Sequence, residues 1–366
     1  MLSKRISAIL MLLILVGLTL SCFFRARLYG VAFPERGQGT IVERTEAFLG
    51  EAVPFSRTMR SAKVDLKYLL GSREQEGIFM SGKRLIENIE EPVSSYVQSN
   101  TEAIIQFAQQ QSVPTYMSLI PTASAILQNA TPPFSDSRIY NQKQFIDERY
   151  KNFSGQLSCV DVYSTLLQNN SQPLYFNTES LLTMQGGYFV YELLSKRMGN
   201  APYSLDRFEI AHIQQNYYGS LYDKVEFRNI EPDIISIFTY RRGLKEFSVT
   251  HTGEPNKVYH TLFPQFLADL GRPLDVMLGG QSAIVDIEQK KKFRNSLLVF
   301  CDRQMFSVLP FLACDYQTIR AVDLEQATDQ QLRSINTSQY DEILFAYSVD
   351  TFMHSNALSR VGRMGG

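Results

Sequence analysis

Apolar residues fall into three kinds of pattern along the chain. An uncharged run from Ile6 to Phe24 lies between Lys4-Arg5 and the Arg25 and Arg27 flank. At about 19 residues it matches the ~20 that a helix needs to cross the hydrocarbon core. From Glu51 to Leu70 apolar positions recur at helical spacing through Val53, Phe55, Met59, Ala62, Leu66 and Leu69, and Gly71 ends the segment. Beyond it, compact apolar runs alternate with amphipathic segments. Gly77–Met80 and Leu85-Ile86 flank a Ser81-Gly82 turn and predict two short paired strands. Helices are expected over Val93–Gln110, Asp136–Asn152, Thr183–Met198, Phe306–Cys314 and Asp329–Ile335. Strands are expected over Val113–Ile120, Leu157–Tyr163, Ser296–Phe300, Ile319–Leu324 and Glu342–Tyr347. Such alternation implies βαβ units, hence an α/β fold: a parallel sheet with helices on both faces, preceded by one N-terminal transmembrane helix.

These elements divide the chain into a membrane anchor (1–28), a stalk and juxtamembrane helix (29–70), an α/β domain (71–356) and a tail (357–366). Between about 204 and 275 the periodicity blurs among Tyr and Arg clusters, and this stretch reads as an insertion. Lys4 and Arg5 orient the amino terminus inwards, which puts the bulk of the chain outside the cytoplasm at the cell membrane. Leu20-Ser21-Cys22 is a partial likeness to a lipoprotein cleavage site, with Thr19 and Leu20 in the wrong order for one.

Composition narrows the chemistry. With 36 basic and 37 acidic side chains, the chain lacks the basic surplus that phosphate binding demands, so nucleic acid is not expected as a partner. Four histidines, no tryptophan and no Cys/His pair at metal-ligand spacing give no support to a metal centre, and no cofactor motif is present. Cys159, Cys301 and Cys314 leave one thiol unpaired if two of them bridge, and buried free thiols are the expectation.

The order of segments resembles the DHHW proteins, relatives of the SGNH-type polysaccharide O-acetyltransferases. The likeness is carried by Val53-Pro54-Phe55-Ser56-Arg57, Gly77-Ile78-Phe79-Met80, Leu174–Thr178, Gly186-Gly187-Tyr188-Phe189, Leu278-Gly279-Gly280, Leu297-Leu298-Val299, Leu309–Ala313 and Val322-Asp323-Leu324. It implies an SGNH-hydrolase-like fold. The resemblance also implies an Asp-x-His pair within an Asp-His-His-Trp motif, acting on a serine that follows a central strand in Lys-Asp-Ser.

Here those letters are replaced. The motif window reads Thr178-Glu179-Ser180-Leu181-Leu182-Thr183, with Leu181 at the base position and Leu182 at the tryptophan position. The strand Leu297–Phe300 runs into Cys301-Asp302-Arg303, with Arg303 where the serine belongs, and the Gly-Gly-Asn-His window reads Gly279-Gly280-Gln281-Ser282. Acyl transfer needs a nucleophile, a base in reach and a group that orients the base. The expectation is a pseudoenzyme with ligand-binding candidates Glu179, Arg303, Asp302, Gly280 and Gln281, and an ion pair between Glu179 and Arg303 across the old site. By the resemblance, its partners would be cell-surface polysaccharide and an integral-membrane acyltransferase. Two other readings stand beside it: an active O-acetyltransferase or esterase with a relocated nucleophile (Ser180 or Cys301), and a purely structural envelope protein. His212, His251, His260 and His354 lie outside every motif window, and His251 and His260 flank the Gly253-Glu254-Pro255 turn as expected surface loop residues. Lys290-Lys291-Lys292 reads as a solvated face.

Overall fold

The computed structural model describes residues 56–364 apart from 133–138, 242–245, 254–255 and 291–294, with short stretches between 9 and 27. The expected stalk and the start of the juxtamembrane helix lie outside the described residues, as does most of the first apolar run. Its described pieces at 9–13, 16–17 and 20–21 are helical. Among the described residues, no helix is long and apolar enough to cross a membrane.

The chain forms two compact units, one of residues up to 75 with 224–229, the other of 76–223 with 230–366. Within the first, the helix Ser56–Leu69 carries Arg60, whose guanidinium grips both carboxylate oxygens of Glu226 at 3.0 and 3.1 Å. Asp65 holds Arg228 at 2.6 Å, and the Tyr68 ring meets Phe227 at 4.7 Å.

The second unit is built on an eight-stranded sheet, its strands numbered here in chain order: β1 Thr115–Ile120, β2 Ser158–Cys159, β3 Phe247–His251, β4 Lys257–Tyr259, β5 Ile284–Gln289, β6 Ser296–Cys301, β7 Thr318–Val322 and β8 Glu342–Ser348. Their order across the sheet is β2-β1-β8-β6-β7-β5-β3-β4. From β2 to β7 every pair is parallel. From β7 outward the pairs β7–β5, β5–β3 and β3–β4 are antiparallel. The expected all-parallel sheet is therefore corrected to a mixed one. The connection at 252–256 is too short for a crossover and folds β4 back on β3 as a hairpin. The stretch read as an insertion thus supplies the last two strands on one side of the sheet, with β4 at its edge, and also pairs Phe208–Tyr217 with Asp233–Tyr240 in a bulged two-stranded ribbon.

In β6 and β8 every residue after the first is buried, which requires cover on both faces, since side chains alternate. On one face, helix α1 (Ser94–Gln109) sets Phe107 edge-on to Phe300 and Phe345, each at 5.6 Å. The buried Asn100 of α1 donates to the carbonyls of Phe352 and Ser355 and accepts from the Ser359 N–H. Residues 357–363, expected as a tail, are held by these bonds as a 3₁₀ helix with Leu358 and Val361 fully buried.

Two expected elements are shorter than their patterns. Of Leu157–Tyr163 only Ser158–Cys159 pairs, because the Asp161 carboxylate accepts from the Tyr163 N–H at 2.9 Å and starts the helix Tyr163–Gln168. The run after β6 opens as 3₁₀ (Arg303–Ser307) and becomes α only over Leu309–Leu312, where Pro310 fits the first turn.

Candidate functional site

The carboxyl ends of the parallel strands open into a cleft of about 210 Å³. Loops leaving β1, β6 and β7 contribute Thr122, Asp302 with Arg303, and Asp323 respectively, and the last residue of β8, Ser348, joins them. The windows read from sequence converge here: Glu179, Ser180, Leu181, Gln281, Asp302 and Arg303 all line the cleft. Gly280 lies just beside it, in a narrow recess shared with Leu181, Gln281 and Arg303. Gln304, which no motif singled out, joins two of the windows. Its amide oxygen accepts from the Leu182 N–H and its amide nitrogen donates to the Ser180 carbonyl, both at 2.9 Å.

Glu179 is 6 % exposed and held tightly. Its carboxylate accepts from the Ser180 N–H at 3.0 Å, the Ser220 N–H at 3.0 Å and the Ser220 hydroxyl at 2.7 Å. It makes no ion pair with Arg303, so the expected lock across the site is absent. The reason is local: three donors on or beside its own loop satisfy the carboxylate. A Cβ at Gly219 would come within 2.7 Å of the Glu179 side chain, so the Ser220 donors reach the acid only because residue 219 is glycine. The loop before Glu179 is fixed by Asp233, whose carboxylate accepts from the Asn177 N–H, the Thr178 N–H and the Thr178 hydroxyl at 2.6, 2.8 and 2.5 Å. Ser220 and Asp233 both come from the stretch read as an insertion, and only their long-range contacts reveal them.

Asp302 caps the 3₁₀ turn by accepting from the Gln304 N–H and reaches across to the Ser348 N–H at 2.8 Å. Burial pushes its carboxyl above the usual range, against the pull of these donors. Arg303 takes no hydrogen-bond or ion-pair partner among the described residues, although its charge and that of Glu179 both reach Tyr217. The Tyr347 hydroxyl also faces no partner, and the residue is 2 % exposed.

Two expectations about nucleophiles and histidines are settled by burial. Cys301 is 2 % exposed and burial drives its thiol well above the ordinary value, which argues against a thiolate nucleophile. Cys159, Cys301 and Cys314 are all free thiols. His251, expected on a surface loop, is 7 % exposed on β3 and bonds the Leu278 carbonyl at 2.6 Å through Nε2. It thereby pins the turn Leu278-Gly279-Gly280, whose φ angles of +58°, +83° and +92° are all left-handed. A Cβ on Gly279 would strike the Tyr259 ring at 2.2 Å, and one on Gly280 would strike Asp275 at 2.6 Å. His260 is exposed, as expected. Among the described residues, no histidine lines the cleft and no group of three acids, cysteines or histidines is placed to hold a metal ion.

Fold and cleft together define a mixed α/β protein whose site lies at the carboxyl ends of its parallel strands. Residues 92–256 match the family described as DHHW protein. The matched segment includes Glu179 and Leu181 and ends before Gln281 and Arg303, which the structure brings to the same cleft. A solved DHHW family protein from Eubacterium siraeum DSM 15702 is similar over 77 % of this chain and 96 % of its own, with a TM-score of 0.63 at 16 % identity. Bacillus cereus PatB1 is similar over 76 % of this chain and 98 % of its own, with a TM-score of 0.62 at 16 % identity. PatB1 has also been solved with a sulfonyl adduct. At such identities the likeness is one of fold. Among curated proteins none matches.

Proposed function

We propose that this chain is a membrane-anchored, extracytoplasmic DHHW protein associated with cell-surface polysaccharide O-acetylation, binding glycan or serving a membrane acyltransferase without catalysing acyl transfer itself. One observation supports the non-catalytic part: Leu181 and Arg303, which the resemblance aligns with the base and the nucleophile, both line the cleft, and among the described residues no imidazole lines it with them. The remaining side chains do not replace what is missing. The carboxylate of Glu179 is already engaged by three hydrogen bonds, from the Ser180 N–H and from the N–H and hydroxyl of Ser220, and none of them comes from the Ser180 hydroxyl. Arg303 carries a permanent positive charge and cannot attack a carbonyl. The anchor rests on the Ile6–Phe24 run, and the link to polysaccharide O-acetylation rests on the family resemblance.

A sulfonyl fluoride tests the catalytic half, because it labels hydroxyls that a neighbouring base has activated. After treatment of the full chain in detergent, intact-mass analysis is expected to find no added sulfonyl group. An adduct mapped to Ser180, or to any other hydroxyl of the cleft, would contradict the proposal.

A further inference from the structure

The cleft has an unusual balance of charge and of unmet hydrogen-bonding capacity. Six carboxylates line it, those of Glu87, Glu179, Asp302, Asp323, Glu325 and Asp350, against the single guanidinium of Arg303. They are not gathered at one point, since no three of them are placed to hold a metal ion. A spread of acids suits a polar organic cation better than a bare one. A second, independent feature points to a ligand. Tyr347, 2 % exposed near the end of β8, lines the cleft, and its buried hydroxyl has no hydrogen-bond partner among the described residues. An unsatisfied buried hydroxyl costs about 1–3 kcal/mol, and a ligand that meets it recovers that cost. The charges of Asp323, Asp302 and Glu325 reach this phenol, which puts acceptors around the place where a ligand group would meet it. Asp323 is fixed by the Gln281 amide at 3.0 Å and by the Glu325 N–H at 2.9 Å, and Glu325 carries an exposed carboxylate.

On the reading of this cleft as a glycan site, we propose that its ligand is a sugar unit bearing a free amino group. The ammonium donates to Asp323, Glu325 and the Tyr347 oxygen, while the unpaired Arg303 donates to a hydroxyl or ring oxygen of the same chain. Hydroxyls of the sugar find acceptors in the remaining carboxylates. A uronate is excluded by charge: one guanidinium does not outweigh six carboxylates at this range. N-acetylation removes the ligand's charge and one of its strongest donors.

Titration of the full chain in detergent with three tetrasaccharides tests the ligand class. The probes are a glucosamine oligomer, its N-acetylated counterpart and a galacturonate oligomer. Because the chain has no tryptophan, its 19 tyrosines report binding by fluorescence. The glucosamine oligomer is expected to bind about tenfold or more tighter than the N-acetylated one. The galacturonate oligomer is expected not to bind. D323N/E325Q is expected to weaken glucosamine binding by about tenfold, and Y347F to weaken it severalfold, with far-ultraviolet circular dichroism unchanged. Equal binding of the amino and N-acetylated probes, preference for the uronate, or indifference to both variants would overturn this ligand class and leave the cleft a glycan site. Absence of binding by every probe would instead overturn the glycan reading along with it.

Discussion

His251 is buried edge-on to the Tyr259 ring, and its Nε2 makes a 2.6 Å bond to a carbonyl in a turn of three left-handed residues. Since a carbonyl only accepts, Nε2 must carry the proton, and burial holds the imidazole below its ordinary pKa by disfavouring the charged form. With the folded-state pKa lowered, the stability that neutral His251 supports is present at and above pH 6.5 and is lost as pH falls through the folded value. His251→Leu is expected to cost about 1–3 kcal/mol at pH 7.5, since it orphans the Leu278 carbonyl. The gap from wild type should narrow by pH 5, because only the wild type has this group to protonate, and urea midpoints at the two pH values measure it. This residue also marks a limit of sequence reading. His251 stands next to Gly253-Glu254-Pro255 and so resembles a turn residue, while its burial depends on Leu278, distant in the chain. Gln304, Ser220 and Asp233 were hidden in the same way. Glu179, Leu181, Arg303 and Gln281 were legible because they occupy motif windows.

Elements position this site chiefly through close backbone approach. Helix α2 (Met184–Arg197) begins at Thr183, whose hydroxyl accepts from the Gly186 N–H at 3.1 Å. Its Gly186-Gly187 pair lies against carbonyls: a Cβ at Gly186 would sit 2.2 Å from the Leu174 oxygen, and one at Gly187 would sit 2.3 Å from the Ser307 oxygen. Neither neighbour is the end of a flexible side chain, so the backbone itself must move to admit a methyl group. Gly187→Ala is expected to destabilise the chain by about 1–3 kcal/mol, read as a lower urea midpoint. A variant with wild-type stability would show that α2 does not pack this closely. The Gly-Gly pair was visible in the sequence as a family letter, and the structure supplies its physical reason. Strands with continuous apolar runs, such as Ser296–Cys301 and Glu342–Ser348, were equally legible. The antiparallel edge was not, because β3 and β4 lie in a stretch whose Tyr, Arg and Lys residues mask the two-residue period.

On the scale of the whole molecule, the proposal is that a frame has outlasted the chemistry it once positioned. The sheet, the cleft at its parallel strand ends and the loop clamped by Asp233 and Gln304 are all in place. Leu181 and Arg303, which the resemblance aligns with a base and a nucleophile, both line the cleft, and the Cys301 thiol is buried with its pKa raised. On the proposed reading, the absence of tryptophan and the scarcity of histidine trace in part to the loop Thr178–Thr183. Hydrolysis of 4-nitrophenyl acetate by the full chain in detergent tests the proposed loss of chemistry most directly. The expected rate is that of an Arg303→Ala, Ser180→Ala double variant at the same concentration, with no burst of nitrophenolate. A saturable rate well above that control, abolished by Ser180→Ala, would contradict a cleft that binds without catalysis.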